Sequence, residues 1–98
     1  MTVNRLIVIR GGVQGVGYRA WTEVTALELA LEGWVRNRRD GTVEALFVGP
    51  EQKVAAMIEA CRNGPPGSRV ESIDQRQASA EELVLRRRDE LFSVLGTA

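Results

Sequence analysis

The fold is set by residues 3–19, which read VNRLIVIRGGVQGVGYR. The run Val3–Arg10 is rich in β-branched residues and is apolar on both alternating faces, which is typical of a strand in the middle of a sheet. Gly11 and Gly12 end this strand, and from Arg19 onward the apolar residues follow a helical spacing. The stretch therefore predicts a central strand, a glycine-rich connection and a helix.

The residues that follow predict the rest of that helix and a β-hairpin. The helix is expected to run to about Leu31, with Trp21 beside a buried stripe made of Ala20, Val24, Leu27 and Leu31. A second strand is predicted at Trp34–Asn37 and a third at residues 42–47. Between them, Asp40-Gly41 is a strong signal for a two-residue hairpin turn.

The second half of the chain predicts another helix and a fourth strand. Gly49-Pro50 opens the helix, and Pro50 suits its first position. The helix is expected to bury a stripe at i, i+3, i+4 and i+7, made of Val54, Met57, Ile58 and Cys61. The fourth strand, Arg69–Asp74, is a weaker prediction because Val70 and Ile73 do not share a face.

The C-terminal segment has two interpretations. Leu83-Val84-Leu85 is typical of an edge strand. Ser79 with Glu82 three residues later instead forms a capping box for a helix running toward Leu95. We favour a strand at residues 83–87, followed by a loose tail at residues 88–98.

The element order β-α-β-β-α-β predicts a single α+β domain spanning residues 1–98. With right-handed crossovers it is a ferredoxin-like sandwich, in which two helices pack on one face of a four- to five-stranded antiparallel sheet. Strands one and two then run in the same direction with strand three between them. This order brings the glycine-rich connection and the end of strand two to one edge of the sheet, with strand axes roughly 10 Å apart.

Composition restricts the chemistry. The 98 residues include no histidine, one cysteine, and 13 basic against 13 acidic side chains. Imidazole catalysis, an internal disulfide and a zinc cluster are therefore excluded, and no net field favours nucleic acid. Apolar runs are too short to span a bilayer and no signal peptide is visible, so we expect a cytoplasmic monomer without membrane contact, metal or cofactor.

The connection at residues 11–19 contains four glycines and leads into a helix N-terminus. Successive N–H groups in such a turn form a cradle for an anion, although a tight glycine-rich turn with no ligand has the same composition. The Walker A pattern fails because Tyr18-Arg19 stands where Lys-Ser/Thr is required, and no dinucleotide-binding pattern is present. The loop is better suited to one small anion than to a nucleotide.

Two polar side chains are placed near this loop by the predicted topology. A cation in the first turn of a helix opposes the helix dipole, so helix stability does not explain Arg19, whereas its guanidinium can close over a phosphate. Asn37 ends strand two, where asparagine is disfavoured, and its amide can hold a water against a bound anion. The neighbouring Arg36, Arg38 and Arg39 would raise the local positive potential if they faced the loop.

Several segments together resemble the acylphosphatases. They are residues 12–19 (GVQGVGYR), 33–37 (GWVRN), 40–44 (DGTVE), 49–51 (GPE) and 64–70 (GPPGSRV), so the resemblance covers about Val3 to Ile73. It implies hydrolysis of small acyl phosphates to a carboxylate and inorganic phosphate without metal. It also implies that Arg19 and the loop amides hold the phosphoryl group, and that Asn37 orients the attacking water. The amides are those of Val13, Gln14, Gly15, Val16, Gly17 and Tyr18.

The sequence departs from the family pattern at three places. Gly12 stands where a basic residue is common, and Ala30 replaces a glycine at the helix end, which costs about 1 kcal/mol if the position has a positive φ. The segment after Asp74 lacks the usual aromatic pattern. The alternative to an enzyme is a non-catalytic phosphate-binding module on the same fold. An RNA-binding domain is disfavoured because its exposed sheet aromatics are missing.

Overall fold

A computed structural model describes all 98 residues as one five-stranded sheet with three helices. In chain order the elements are β1 (Thr2–Gly12), α1 (Tyr18–Glu28), β2 (Glu32–Asn37), β3 (Val43–Pro50), α2 (Glu51–Cys61), β4 (Arg69–Arg76), α3 (Ala80–Leu83) and β5 (Phe92–Val94). No helix combines the length and the apolar character needed to cross a membrane.

The sheet order is β4-β1-β3-β2-β5, so β3 lies between β1 and β2 as predicted. The ferredoxin-like α+β fold is confirmed, but the sheet is mixed rather than wholly antiparallel, because β5 pairs with β2 in parallel. The other three strand pairs are antiparallel. The main core lies between this sheet and helices α1 and α2.

Helix α2 begins at Glu51, which makes Pro50 its N-cap residue and not its first helical residue.

The buried face of α1 differs from the predicted stripe. Val24 and Leu27 are 57% and 45% exposed, and the residues that α1 buries are Tyr18, Thr22 and Ala26. The helix starts at Tyr18, whose ring enters the core and whose hydroxyl donates a 2.6 Å hydrogen bond to the Cys61 carbonyl. Thr22 is tolerated inside because its hydroxyl donates to the Tyr18 carbonyl at 2.8 Å. The buried face of α1 therefore includes a hydrogen-bonded threonine where the sequence pattern predicted an apolar residue.

Strand β4 turns both of its apolar side chains, Val70 and Ile73, toward the main core, although simple alternation places them on opposite faces. The register with β1 pairs Arg10 with Ser72 and Gly11 with Val70, which leaves Glu71 as an extra residue on β4. This β-bulge shifts the alternation by one residue, so Val70 and Ile73 both pack against the main core.

The opposite face of the sheet carries a second, smaller core of Leu6, Trp34 and Leu46. Residues of the C-terminal segment cover it, and the Trp34 indole donates a 2.8 Å hydrogen bond to the Glu82 carbonyl. This cover explains why the central strands are apolar on both faces although both long helices lie on one side.

The predicted strand at residues 83–87 is wrong. The capping box prevails there: Ser79 and Glu82 satisfy each other's backbone N–H groups and start the short helix α3. The Arg76 guanidinium, through its hydrogen bonds to Glu82, is the main reason that the pKa of this carboxyl falls to about 2. The extra strand forms later, as β5.

The segment at residues 88–98, expected to be loose, is docked on the sheet. Phe92 is buried and stacks on Phe47 with ring centroids 5.9 Å apart. The Leu95 amide donates to the Val35 carbonyl at 2.8 Å, and the Ala98 amide to the Asn37 carbonyl at 3.0 Å. Burial of one aromatic ring and continuation of the β2 ladder order a segment whose local pattern is weak.

Ala30, which follows α1, is the one non-glycine residue with a positive φ, 56°. A Cβ in this left-handed region is strained, so Ala30→Gly is expected to raise the free energy of unfolding by about 1 kcal/mol. Urea denaturation measures this change. Ala55→Gly, at an exposed position inside α2, is the matched control and is expected to destabilise by about 1 kcal/mol. Equal destabilisation by both substitutions would contradict the assignment of strain to Ala30.

Candidate active site

The loop between β1 and α1 presents a row of free backbone donors. Gly15 and Gly17 have positive φ angles of 76° and 79°, which turn the chain tightly into the helix. None of the amide N–H groups of residues 13–18 donates a hydrogen bond within the chain. The buried side chain of Val13 anchors the loop in the core. Free N–H groups at a helix N-terminus attract an anion.

Gln14 ties this loop to the β2–β3 hairpin. Its side-chain amide donates to the Arg38 carbonyl at 2.8 Å and to the Thr42 carbonyl at 2.9 Å. The hairpin itself is longer than predicted, because the Arg38 amide bonds to the Thr42 carbonyl and leaves three residues, 39–41, in the turn. The Gln14 contacts hold the loop beside the end of β2, where Asn37 lies.

A cavity of about 510 Å³ opens at this edge of the sheet, and we call it the loop cavity. Arg19 and Asn37 both line it, together with the loop residues Val13, Gly15, Gly17 and Tyr18. The structure thus brings together the two predicted side chains and most of the loop. Gln14 and Val16 do not line the cavity, and any contribution from them comes through the backbone or through the position of the loop.

Arg19 is the second residue of α1 and has one internal contact. Its Nη1 donates to the Leu95 carbonyl at 3.2 Å, and no carboxylate lies within 4.0 Å of its guanidinium. A guanidinium has five N–H donors, so most of them remain available at the cavity. The Leu95 contact limits the rotamers of Arg19 without neutralising its charge.

Asn37 ends β2 and is half-buried. Its backbone is fixed by pairing with Val43 and by the hydrogen bond from Ala98. Its side-chain amide makes no hydrogen bond within the chain, so both its donor and its acceptor face ligands or solvent. A carboxamide held this way can donate one hydrogen bond and accept another at the same time.

The neighbouring arginines are not brought into the loop cavity. Arg36 lies on the other face of the sheet, where its Nε is 2.7 Å from Glu44 Oε1 and its guanidinium is 4.8 Å from the Trp34 ring centroid. Arg38 is 4.0 Å from Asp40, and Arg39 is exposed at the turn. Arg19 and Arg87 are therefore the cations that line the loop cavity.

One wall of the loop cavity was missed by the sequence analysis. It consists of Glu23 from α1 and of Arg87, Glu90 and Val94 from the C-terminal segment. Glu23 follows Arg19 by four residues on the same helix face, a spacing visible in the sequence. The C-terminal residues carried no such signal, because the predicted strand at 83–87 and loose tail would have placed them elsewhere.

Two buried groups beside the loop are poor candidates for proton transfer. Burial raises the pKa of the Cys61 thiol to about 12, and burial next to Cys61 raises the pKa of the Tyr18 hydroxyl above its ordinary value. Cys61 is fully buried, as the predicted stripe of α2 requires, and a thiol in such surroundings is inert. Tyr18 contributes its backbone and its packing to this region.

The family model and the curated relatives give the same family. The family model described as acylphosphatase matches residues 5–87. A protein of Bradyrhizobium diazoefficiens named acylphosphatase is 62% identical over 91 residues, which cover 93% of this chain and 92% of that protein. A protein of Rhodopseudomonas palustris (strain BisB18) with the same name is 54% identical over 96 residues, or 98% of this chain and 97% of that protein.

Solved structures agree with the sequence relatives. The crystal structure of acylphosphatase from Bacillus subtilis is similar to this chain with a TM-score of 0.82 and 38% sequence identity. The match covers 97% of this chain and 99% of that chain, so it includes the C-terminal segment as well as the sheet and helices.

Proposed function

The chain belongs to the acylphosphatase family and is a hydrolase of small acyl phosphates, and from this premise we propose how its residues perform the reaction. The phosphoryl group binds to the amides of residues 13–18 and to the Arg19 guanidinium, and Asn37 orients the attacking water. The observation that carries the proposal is the loop cavity, which both of these side chains line beside the loop glycines.

The phosphoryl group of an acyl phosphate is a dianion with three peripheral oxygens. The free N–H groups of residues 13–18 and the positive end of the α1 dipole stabilise this charge. Arg19 adds a full positive charge and can bind two oxygens at once. Because these donors are in place before the substrate arrives, they stabilise the transition state at little reorganisation cost.

The side-chain amide of Asn37 orients the water that attacks phosphorus. Its carbonyl oxygen accepts a hydrogen bond from the water and its N–H₂ group donates to the bound phosphoryl group, which places the water in line with the bond to be cut. The water forms a P–O bond as the bond from phosphorus to the acyl oxygen breaks, and the carboxylate leaves with that electron pair. An amide is not a base, so the water's proton passes to a phosphoryl oxygen.

The partners and setting follow from the same proposal. All the residues assigned to the reaction come from one chain, and none of the steps requires a metal or a cofactor. Because the assigned site is complete within one chain, we propose that the protein works as a single-domain monomer on a small acyl phosphate. The balance of 13 basic against 13 acidic side chains supports the absence of a nucleic acid partner. We place the protein in the cytoplasm, without a membrane partner, as part of the same proposal.

The purified protein is expected to hydrolyse acetyl phosphate and benzoyl phosphate in the presence of EDTA. The measurement is release of inorganic phosphate, with the uncatalysed hydrolysis subtracted. Activity that disappears in EDTA and returns with added divalent metal would contradict the metal-independent mechanism. Saturable phosphate binding without turnover of any acyl phosphate would contradict the enzyme and favour a binding module.

A further inference from the structure

The loop cavity is larger than a phosphoryl group needs. Its volume of about 510 Å³ lies in the range of pockets that enclose whole small molecules. In the proposed function, the loop amides, Arg19 and Asn37 account for the phosphoryl group and the attacking water. The remaining lining includes Glu23, Arg87, Glu90 and Val94, to which the proposed function gives no part in binding the phosphoryl group or the water. We call these four residues the acyl end, because they are left to meet the part of the substrate beyond the phosphoryl group.

Glu23 lies one helical turn beyond Arg19 on α1. Residues four apart occupy the same helix face, about 6 Å apart along the axis. Glu23 makes no ion pair or hydrogen bond within the chain, and Arg19 uses its one internal contact on the Leu95 carbonyl. The carboxylate therefore has no partner within the chain, and it lines the same cavity as Arg19, one helical turn away.

The other charges at the acyl end compensate each other. Arg87 Nη1 is 3.4 Å from Glu90 Oε1 and donates to the Val94 carbonyl at 3.2 Å. This pair adds no net charge to the wall. With Arg19 assigned to the phosphoryl group, Glu23 is the one charged side chain of the acyl end that has no ion-pair partner.

We propose that Glu23 is a specificity-determining residue, which favours acyl phosphates whose acyl group carries an ammonium and disfavours those that carry a carboxylate. The inference rests on the proposed function, because it takes the position of the phosphoryl group from it. An ammonium one helical turn from the phosphoryl group meets the free Glu23 carboxylate, and a substrate carboxylate is repelled by it. At this separation in a half-open site each effect changes kcat/KM by roughly three- to tenfold.

Three benzoyl phosphates test the proposal, with 4-aminomethyl, 4-methyl and 4-carboxy substituents. The para substituent lies on the side of the carbonyl away from phosphorus, so its charge tests the acyl end and not the phosphoryl group. The readout is kcat/KM of each charged substrate divided by kcat/KM of the neutral 4-methyl substrate. Comparing these ratios between wild type and variants removes the intrinsic reactivity of each substrate.

Glu23→Gln is expected to lower the 4-aminomethyl ratio and to raise the 4-carboxy ratio, each by roughly three- to tenfold. Glu23→Lys is expected to reverse the order of the two charged substrates. Glu28→Gln is the matched control, since Glu28 is exposed on the same helix and does not line the loop cavity, and it is expected to leave both ratios unchanged. Thermal melting of each variant checks that the fold is retained.

Two results would overturn the inference alone: unchanged ratios in Glu23→Gln, or an equal change in Glu28→Gln, which would indicate a general field effect. In both cases the wild-type protein still hydrolyses the neutral substrate, so the proposed function stands. Failure of the wild-type protein to hydrolyse any of the three substrates would instead overturn the proposed function, and this inference with it.

Discussion

Arg19→Ala is expected to reduce kcat/KM for acetyl phosphate by a factor on the order of 10²–10⁴. The guanidinium is the one cation that lines the loop cavity without a carboxylate partner, since Arg87 is paired with Glu90. Its loss removes a charge that is in place before the transition state forms, and both substrate binding and turnover suffer. Initial rates over a range of acetyl phosphate concentrations measure the effect.

The Leu95 contact makes a second measurement necessary, because Arg19→Ala also removes one hydrogen bond to the C-terminal segment. Arg19→Lys keeps the positive charge without the planar fork and is expected to retain more activity than alanine. Arg62→Ala is the matched control. Arg62 is an exposed arginine that follows α2 and pairs with Glu59, and it does not line the loop cavity. A loss of activity that follows only the loss of thermal stability would contradict a role for Arg19 at the phosphoryl group.

The sequence predicts those elements whose patterns are local. The apolar run of β1 and the stripe of α2 each depend on residues close together in the chain, and both are found as expected. Gly11 and Gly12 were expected to end β1, but they belong to the strand and pair with Val70 and Arg69 of β4. The β-α-β-β-α-β order then determines the topology through the preference for right-handed crossovers. Because that topology places the end of β2 beside the glycine loop, Arg19 and Asn37 could be assigned to one site before the structure was known.

The remaining features depend on contacts between distant residues. The face of α1 is decided by Tyr18, whose ring reaches across the core to Cys61, and no periodicity within α1 shows this contact. The bulge at Glu71 arises from the pairing of two strands and reverses the face of Val70. Strand β5 is three residues long and is ordered by Phe47 and by the free edge of β2.

The unpredicted half of the loop cavity follows from the same cause. Arg87 and Glu90 reach the cavity only because α3 ends at Leu83 and the chain then crosses to β5. A strand at residues 83–87 would have placed Arg87 in a ladder and left Glu90 in a loose tail. Local propensity favoured that strand, and the capping box together with burial of Phe92 outweighed it. The side chains that we propose for the phosphoryl group, Arg19 and Asn37, therefore had signals in the sequence, whereas the C-terminal residues that line the loop cavity had none.

Asn37→Ala is expected to lower kcat for acetyl phosphate by a factor on the order of 10²–10³ with a much smaller change in KM. The phosphoryl group keeps its loop amides and Arg19, so binding is largely retained, whereas the water loses the group that aligns it. A fall in kcat and kcat/KM by the same factor is typical of an interaction made mainly in the transition state. Steady-state kinetics separate the two parameters, and inhibition by inorganic phosphate reports binding independently.

Two further variants distinguish alignment of the water from other roles of Asn37. Asn63→Ala changes an exposed asparagine beyond α2 and is expected to leave both parameters unchanged. Asn37→Asp supplies a stronger base at the same place, but its carboxylate is repelled by the phosphoryl dianion and cannot donate a hydrogen bond to it. If Asn37 aligns the water, Asn37→Asp is therefore expected to have a kcat as low as that of Asn37→Ala. It is also expected to be inhibited less strongly by inorganic phosphate. Recovery of kcat in Asn37→Asp would show that proton removal, and not position, limits the reaction.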